Sequence, residues 1–226
     1  EGFDKLGERL DEKQINIIET VSEEGPSKPQ TQDPPQNQIQ ALVDLYTQGQ
    51  MQQVISESER LLSGYPSSVT LYNIFGSAHQ ALGNYEEAVE AYKKAITINP
   101  DSDNTYYNMG NAFREQGNLD QAIEAYQKAL AIKPDYAKAH SNMGVALQEK
   151  GDLDQAIEAY RKAVSSNPDY AEAYNNIGNS MQDQGNLDEA MEAYQKAISI
   201  KPDYADAHNN MGNTLQDQGK QREAVE

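Results

Sequence analysis

The sequence contains no cysteine, no tryptophan and only three phenylalanines in 226 residues. Without cysteine it has no disulfide framework, thiol nucleophile or zinc-thiolate site. No apolar run approaches the roughly 18 residues of a membrane-spanning helix, and no basic amphipathic segment suggests a membrane surface. No signal peptide is visible, although the chain opens on Glu1 rather than Met, so a processed start stays open. We therefore expect a cytoplasmic chain with no membrane partner.

Positive charge is also scarce, because the sequence has 18 Lys and Arg but 36 Asp and Glu, which gives a formal net charge of −18. Such a chain repels a phosphate backbone, which argues against a nucleic-acid partner. The acidic residues are spread along the sequence rather than gathered in a tail. Their distribution favours solubility over a dedicated acidic segment.

The chain does contain a strict internal repeat of 34 residues. Prolines return at this interval, and two series of glycines keep the same step. The prolines are Pro66, Pro100, Pro134, Pro168 and Pro202; the glycines within the units are Gly76, Gly110, Gly144, Gly178 and Gly212. Several residues held in phase over this distance indicate one small supersecondary unit copied in tandem. A stacked array of such units presents a long continuous surface.

The repeat divides the chain into three parts. Residues 1–34 form an N-terminal segment that fits both a helix and a strand, followed by a proline-rich linker expected to be extended and solvated. Residues 35–68 are a divergent terminal repeat. The regular array is expected over 69–226, as complete units at 69–102, 103–136, 137–170 and 171–204 and a truncated unit at 205–226.

Each unit is predicted to contain two helices. In 137–170 the first helix carries apolar residues at helical spacing, with Asp135 as its N-cap and Gly151 as the left-handed residue that ends it. Gly144 lies inside this helix, where glycine costs about 1 kcal/mol relative to alanine. Its recurrence suggests a close approach of the helix backbones, with Tyr160 filling the gap beside them. The outer face of the second helix holds charge pairs four residues apart, such as Glu158 and Lys162.

This pattern resembles the tetratricopeptide repeat (TPR). The family signature places an aromatic, an apolar-glycine pair, further aromatics and small residues, and a proline across 34 residues. It is supplied here by Tyr106, Met109, Gly110, Phe113, Ala122, Tyr126, Ala129 and Pro134, and again by Tyr174, Ile177, Gly178, Met181, Ala190, Tyr194, Ala197 and Pro202. The departures are His140 and His208 at the first aromatic site, His79 at the second, and the absence of Trp. The resemblance implies an all-α, right-handed superhelical solenoid of antiparallel helix pairs whose first helices line a concave groove that binds peptides or proteins.

Asparagines recur on the face of the first helices that the resemblance assigns to the groove. One row is Asn108, Asn142, Asn176 and Asn210, and a second row is Asn111, Asn179 and Asn213, interrupted by Val145. An amide offers two donors and an acceptor, which suits a peptide backbone whatever its side chains. A similar ladder in the repeats of O-linked N-acetylglucosamine transferase holds substrate peptides. We expect these seven asparagines to contact an extended peptide, with the first row facing the groove and its amides free of bonds within their own helix, although recent duplication alone would also copy them.

No catalytic or cofactor site is predicted. The sequence has no phosphate-binding glycine loop, and we find no nucleophile with a base to activate it. The histidines have no Cys, His or carboxylate at ligand spacing, so we expect them to fill space between repeats rather than bind a metal. The two-carboxylate clamp that some TPR proteins use for chaperone C-termini is disfavoured, since only Lys138 and Arg114 supply positive charge.

The leading hypothesis is therefore a peptide- or protein-binding scaffold, a recruitment module of a larger protein, without a cofactor and without enzymatic activity of its own. One alternative is a structural module that self-assembles end to end. Another comes from resemblance to bacterial arrays that precede glycosyl-, sulfo- or methyltransferase domains, which would make the array a substrate-recruiting part. In the truncated unit we expect a first helix over 205–219, a turn at Gly219 and the start of a second helix, leaving apolar surface exposed at that end.

Overall fold

The computed structural model describes the backbone of residues 33–225 and the side chains of residues 33–219. All regular structure in this part of the chain is α-helical. The helices are α1 (Gln36–Thr47), α2 (Met51–Gly64), α3 (Val69–Ala81), α4 (Tyr85–Ile98), α5 (Asp103–Glu115), α6 (Leu119–Ile132), α7 (Ala137–Lys150), α8 (Leu153–Ser166), α9 (Ala171–Asp183), α10 (Leu187–Ile200) and α11 (Ala205–Val225). The helix or strand expected near the N-terminus lies outside the described residues.

The chain forms two compact units, which meet in sequence between Asn118 and Leu119. In the N-terminal unit α2, α3, α4 and α5 each pack on the preceding helix, and the first helices α1, α3 and α5 also contact one another in order. In the C-terminal unit the helices from α6 to α11 pack in the same way, and α9 contacts both α7 and α11. Each unit is thus a stack of helix pairs with its first helices side by side. The all-α solenoid class is confirmed.

The turns between paired helices depend on glycine. Gly151 has φ 90° and directly follows α7, where its backbone N–H bonds the carbonyl of Gln148 at 2.9 Å. This left-handed conformation ends the helix as predicted. The predicted N-cap Asp135 is wrong, because Tyr136 occupies the N-cap position and makes no side-chain cap bond. A side-chain cap does occur at Ser68, whose hydroxyl accepts from the N–H of Leu71 at 3.0 Å.

A glycine inside the first helix accommodates a tyrosine from the second. A Cβ on Gly144 would lie 2.6 Å from Cε1 of Tyr160, and a Cβ on Gly178 would lie 2.4 Å from the same atom of Tyr194. Both rings are fully buried. The expected close approach is therefore real, but the helix backbone meets an aromatic ring rather than a second backbone.

The end of the proline-rich linker is not solvated as expected. Pro34 is buried, and the carboxylate of Asp33 accepts hydrogen bonds from the hydroxyls of Ser68 and Thr70, the latter at 3.1 Å. These two hydroxyls flank the start of α3. The linker thus joins the N-terminal unit through a carboxylate held at a helix N-terminus, where negative charge is favourable.

The predicted turn at Gly219 is also wrong. Helix α11 continues through this residue to Val225, and Gly219 is not among the glycines with positive φ. Extending an existing helix adds one hydrogen bond per residue, whereas starting another requires a costly nucleus.

The tyrosine–glycine packing predicts opposite effects for two glycine substitutions. Gly178→Ala should lower the free energy of unfolding of the C-terminal unit by about 2 kcal/mol, because the new methyl group overlaps a ring that is buried on all sides. Gly212→Ala is the control, since nothing lies within 4 Å of a Cβ there. It should be neutral or stabilise helix α11 by up to about 1 kcal/mol. Urea denaturation of the two variants measures the difference, and equal effects would contradict the packing argument.

Candidate functional site

The asparagine rows lie on α5 in the N-terminal unit and on α7, α9 and α11, which contact one another in order, in the C-terminal unit. On α9, Asn176, Asn179 and Asp183 follow one another at three and four residues, so they share one face of the helix. On α11, Asn210, Asn213 and Asp217 repeat this spacing. Because α9 and α11 are in contact, the two faces can be described together as the amide face of the C-terminal unit.

The predicted site residues differ in accessibility. Asn142, Asn176, Asn179 and Asn210 are half-buried, and so is Asn111 in the N-terminal unit, whereas Asn213 is exposed. Asn108 is only 5% exposed. The expectation of an accessible amide is therefore wrong for Asn108. A repeated residue type does not guarantee a repeated environment, because the neighbouring side chains differ from unit to unit.

The amide of Asn210 is bound by the preceding repeat. Its Nδ2 donates to Oδ1 of Asn175 at 3.1 Å and to Oδ1 of Asn179 at 2.9 Å. Neither bond lies within its own helix, as expected, but both donors are engaged. The ladder is thus partly a set of contacts between successive first helices rather than a row of independent amides.

A buried tyrosine connects these asparagines to the interior. The hydroxyl of Tyr194 lies 2.9 Å from Oδ1 of Asn179 and 3.0 Å from Oε1 of Gln182. Thr214 donates to the same Gln182 oxygen at 3.1 Å, and the Gln182 Nε2 donates to Asp217 at 3.5 Å. Burial is the main cause that raises the pKa of Tyr194 to about 12, so the hydroxyl keeps its proton at neutral pH.

The same tyrosine–glutamine pair recurs along the chain, and sequence reasoning missed it. Tyr92 donates to Gln80 at 3.0 Å, and Tyr160 donates to Gln148 at 3.0 Å. In each case the glutamine Nε2 donates to an acid of the next first helix: Gln80 to Glu115 at 3.1 Å, and Gln148 to Asp183 at 3.3 Å. The glutamines occupy equivalent positions of the 34-residue repeat, with Arg114 at that position in the unit between Gln80 and Gln148, and this shared position was the available signal.

A further series of contacts joins the end of each first helix to the start of the preceding second helix. The bonds are Gln116 to Glu86, Lys150 to Asp120, Gln184 to Asp154 and Gln218 to Asp188, at 3.4, 2.8, 2.7 and 2.7 Å. The partners are exposed, so each contributes little stability on its own. Their regular spacing helps to fix how one repeat sits on the next within a unit. On an outer face, the predicted pair of Lys162 and Glu158 forms at 2.7 Å.

The histidines at the aromatic site bind the preceding repeat through its proline. Nε2 of His140 donates to the carbonyl of Pro134 at 2.8 Å, and His208 makes the same bond to Pro202 at 2.9 Å. His140 is buried, and its Nδ1 has no hydrogen-bond partner in the described part of the chain. Burial lowers the pKa of His140, and the charge of Lys162 lowers it further, against the opposing effect of the Pro134 bond.

Two other kinds of site are absent from the residues that the structure describes. These residues contain no group of three or more His, Cys, Asp or Glu that could hold a metal ion. No helix among them has the length and apolar character needed to cross a membrane.

The histidine geometry predicts a pH effect on stability. An unfolded histidine takes up a proton near pH 6.5. The folded state resists protonation of His140, so stability should fall as the pH drops through this range and should recover as it rises. His140→Tyr, the residue found at the equivalent positions Tyr106 and Tyr174, should remove that part of the pH dependence.

His208→Tyr is the control, because His208 makes the same proline contact while remaining exposed. Thermal denaturation between pH 5 and pH 8 should show a weaker dependence for the His140 variant and an unchanged one for the His208 variant. Identical profiles for wild type and His140→Tyr would contradict the assignment.

A family model described as TPR repeat matches residues 76–114, 110–151, 146–185 and 182–219. These matches together cover more than half of the chain. No protein of curated function matches the sequence significantly.

Many solved structures are similar to this one. A crystal structure of MamA is 29% identical, covers 73% of this chain and 96% of its own, and has a TM-score of 0.67. TTC0263, a thermophilic TPR protein of Thermus thermophilus, is 24% identical, covers 80% of this chain and 98% of its own, and has a TM-score of 0.63. YrrB, described as a TPR protein with an unusual peptide-binding site, is 23% identical, covers 76% and 89%, and has a TM-score of 0.63. At these identities the last two show the fold alone.

Proposed function

Because the chain belongs to the tetratricopeptide-repeat family, we propose that it is a protein-interaction scaffold whose amide face binds an extended peptide segment and recruits the protein that carries it. The peptide-binding site described for YrrB supports this proposal at the level of the fold. The seven asparagines predicted from the sequence supply the candidate contacts, with Asn108 least suited because it is buried.

The observation that carries the proposal is that the side-chain amide of Asn176 has no hydrogen-bond partner among the described residues. Its side chain is half-buried. Asparagine is a mediocre helix former, so this position gains nothing from local propensity. A peptide backbone would satisfy both ends of the amide, since each peptide unit offers one N–H and one C=O.

The charges around the amide face restrict the chemistry of the partner. Glu172 and Asp183 lie on α9 at either end of the Asn176 and Asn179 face, and Asp183 accepts a hydrogen bond from the neutral amide of Gln148. That contact leaves the carboxylate charge in place. We therefore expect the peptide to be neutral or basic rather than acidic, with affinity that falls as salt is added.

Asn176→Ala tests the proposal without disturbing the fold. The peptide probe is a sequence selected from a phage-displayed library on the wild-type chain. Loss of a hydrogen-bonded amide worth about 1.5 kcal/mol should weaken binding roughly tenfold in isothermal titration. The melting temperature should be unchanged or slightly raised, because alanine is the better helix former.

Asn167→Ala is the matched control, because it removes an exposed asparagine from the loop before α9 rather than from a first helix. This control should bind the probe as the wild type does. Unchanged affinity for Asn176→Ala would contradict peptide binding by the amide face, as would an equal loss in both variants.

A second candidate function, assembly with another copy of the chain, is favoured by one observation. Leu215 on α11 is 51% exposed, although Met211 on the same helix packs into the core of the C-terminal unit. An apolar side chain left open at this position provides a contact for a neighbouring molecule.

Sedimentation velocity tests the assembly. Leu215→Lys should abolish concentration-dependent association, whereas Leu82→Lys, at a leucine that is 40% exposed, should leave it unchanged. A wild-type chain that stays monomeric at high concentration would exclude assembly through this residue.

A further inference from the structure

We propose that Tyr194 is a positioning residue for the amide face: its hydroxyl fixes the amide of Asn179 and, through it, that of Asn210, so that the pair presents one donor and one acceptor to a peptide group. This inference rests on the proposed function for its ligand. The geometry behind it concerns only the C-terminal unit.

The hydroxyl reaches the amide face because Gly178 leaves room for the ring. The ring of Tyr194 comes from α10, is fully buried, and lies where a Cβ on Gly178 would be 2.4 Å away. Its hydroxyl then lies 2.9 Å from Asn179 on the adjoining face of α9. A side chain of the second helix therefore acts on residues that the first helix presents.

The proton of the hydroxyl is available to Asn179. Gln182 Oε1 also lies 3.0 Å from Tyr194, but it accepts from Thr214 at 3.1 Å and its Nε2 is turned toward Asp217. Each of the two oxygens also has a second donor within reach, Thr214 for Gln182 and Asn210 for Asn179, so the single proton of the Tyr194 hydroxyl is shared between the two amides and holds both in place. The carboxylate of Asp217 sets the direction in which the glutamine amide points.

The polarity of the two asparagines follows from these bonds. Asn179 Oδ1 accepts from Tyr194 and from Asn210, so both of its lone pairs are used and its Nδ2 remains to donate. Asn210 Nδ2 donates to Asn175 and Asn179, so its Oδ1 remains to accept. One donor beside one acceptor matches the C=O and N–H of a peptide backbone.

The preceding repeat provides an internal comparison. Tyr160 packs on Gly144 as Tyr194 packs on Gly178, and its hydroxyl bonds Gln148. At the position equivalent to Asn179, however, this repeat has Val145. That repeat therefore has the same buried tyrosine and the same bond to a glutamine, with valine at the position where the next repeat has Asn179.

The first arm of the experiment needs no ligand. In the full chain, Tyr194→Phe should shift the side-chain amide resonances of Asn179 and Asn210 in ¹⁵N-edited NMR spectra and speed their hydrogen exchange. Tyr160→Phe, which removes a hydroxyl from an equally buried ring, should leave both resonances in place. Unchanged Asn179 and Asn210 resonances in Tyr194→Phe would overturn the inference.

The second arm uses the phage-selected peptide as probe. Tyr194→Phe should weaken its binding roughly tenfold and Tyr160→Phe by less than about twofold. Asn179→Val, which introduces the residue found in the preceding repeat, should weaken binding by the same factor as Tyr194→Phe. It tests the inference even if Tyr194→Phe does not fold. If Asn176→Ala weakens binding but Tyr194→Phe and Asn179→Val do not, the positioning role is overturned and the proposed function stands. If the resonances shift but no asparagine variant affects binding, orientation of the amides is supported and the proposed function fails.

Discussion

The contact between a tyrosine ring of the second helix and a glycine of the first helix is the constraint on which each repeat depends. A glycine in the first helix costs helix propensity, but it lets the ring of Tyr160 or Tyr194 lie directly against the backbone. This contact brings the paired helices close enough for alanines such as Ala156 and Ala190 to be fully buried between them. The hydroxyl of the same ring reaches polar residues of the first helix, Gln148 in one repeat and Asn179 and Gln182 in the next. Packing and the chemistry of the amide face therefore share one side chain.

The polar residues of that face serve stability and recognition together. The bonds from Asn210 to Asn175 and Asn179 hold α11 against α9. The Nδ2 donors of Asn210 therefore join two repeats. Internal hydrogen bonds of this kind contribute about 1 kcal/mol each, whereas a buried amide without a partner would cost more. A ligand that took the donors of Asn210 would have to break these bonds. A ligand that used only the remaining donor and acceptor atoms would leave the stack intact, which favours shallow binding along the face.

Much of the fold could be predicted from the sequence, because the glycines, prolines and tyrosines act through local geometry that every repeat shares. The glycine at the position of Gly151 takes a left-handed conformation before each second helix that follows it. The glycine at the position of Gly144 is needed where a tyrosine ring packs against the helix backbone. The errors arose where a neighbour decides the outcome. Gly219 lies within α11 instead of forming a turn, and the end of the linker joins the N-terminal unit because Asp33 binds the hydroxyls at the start of α3. For the candidate site, position on the first helices was predictable, but the burial of Asn108 and the partners of Asn210 depend on adjoining side chains that a repeat period does not reveal.

The differences between repeats are therefore more informative about recognition than the features they share. A strictly periodic face would offer every peptide unit the same contacts and would let a ligand slide by one repeat. Val145 interrupts the second asparagine row, and the equivalent residue in the first regular unit is Ser77, whose hydroxyl lies 3.1 Å from that of Tyr92. The recurring tyrosine thus meets serine, valine or asparagine in different repeats, while the tyrosine–glutamine bond stays the same. A ligand can distinguish these positions through the residue beside the tyrosine, so variation at this site helps to give a repetitive scaffold a preferred alignment for its partner.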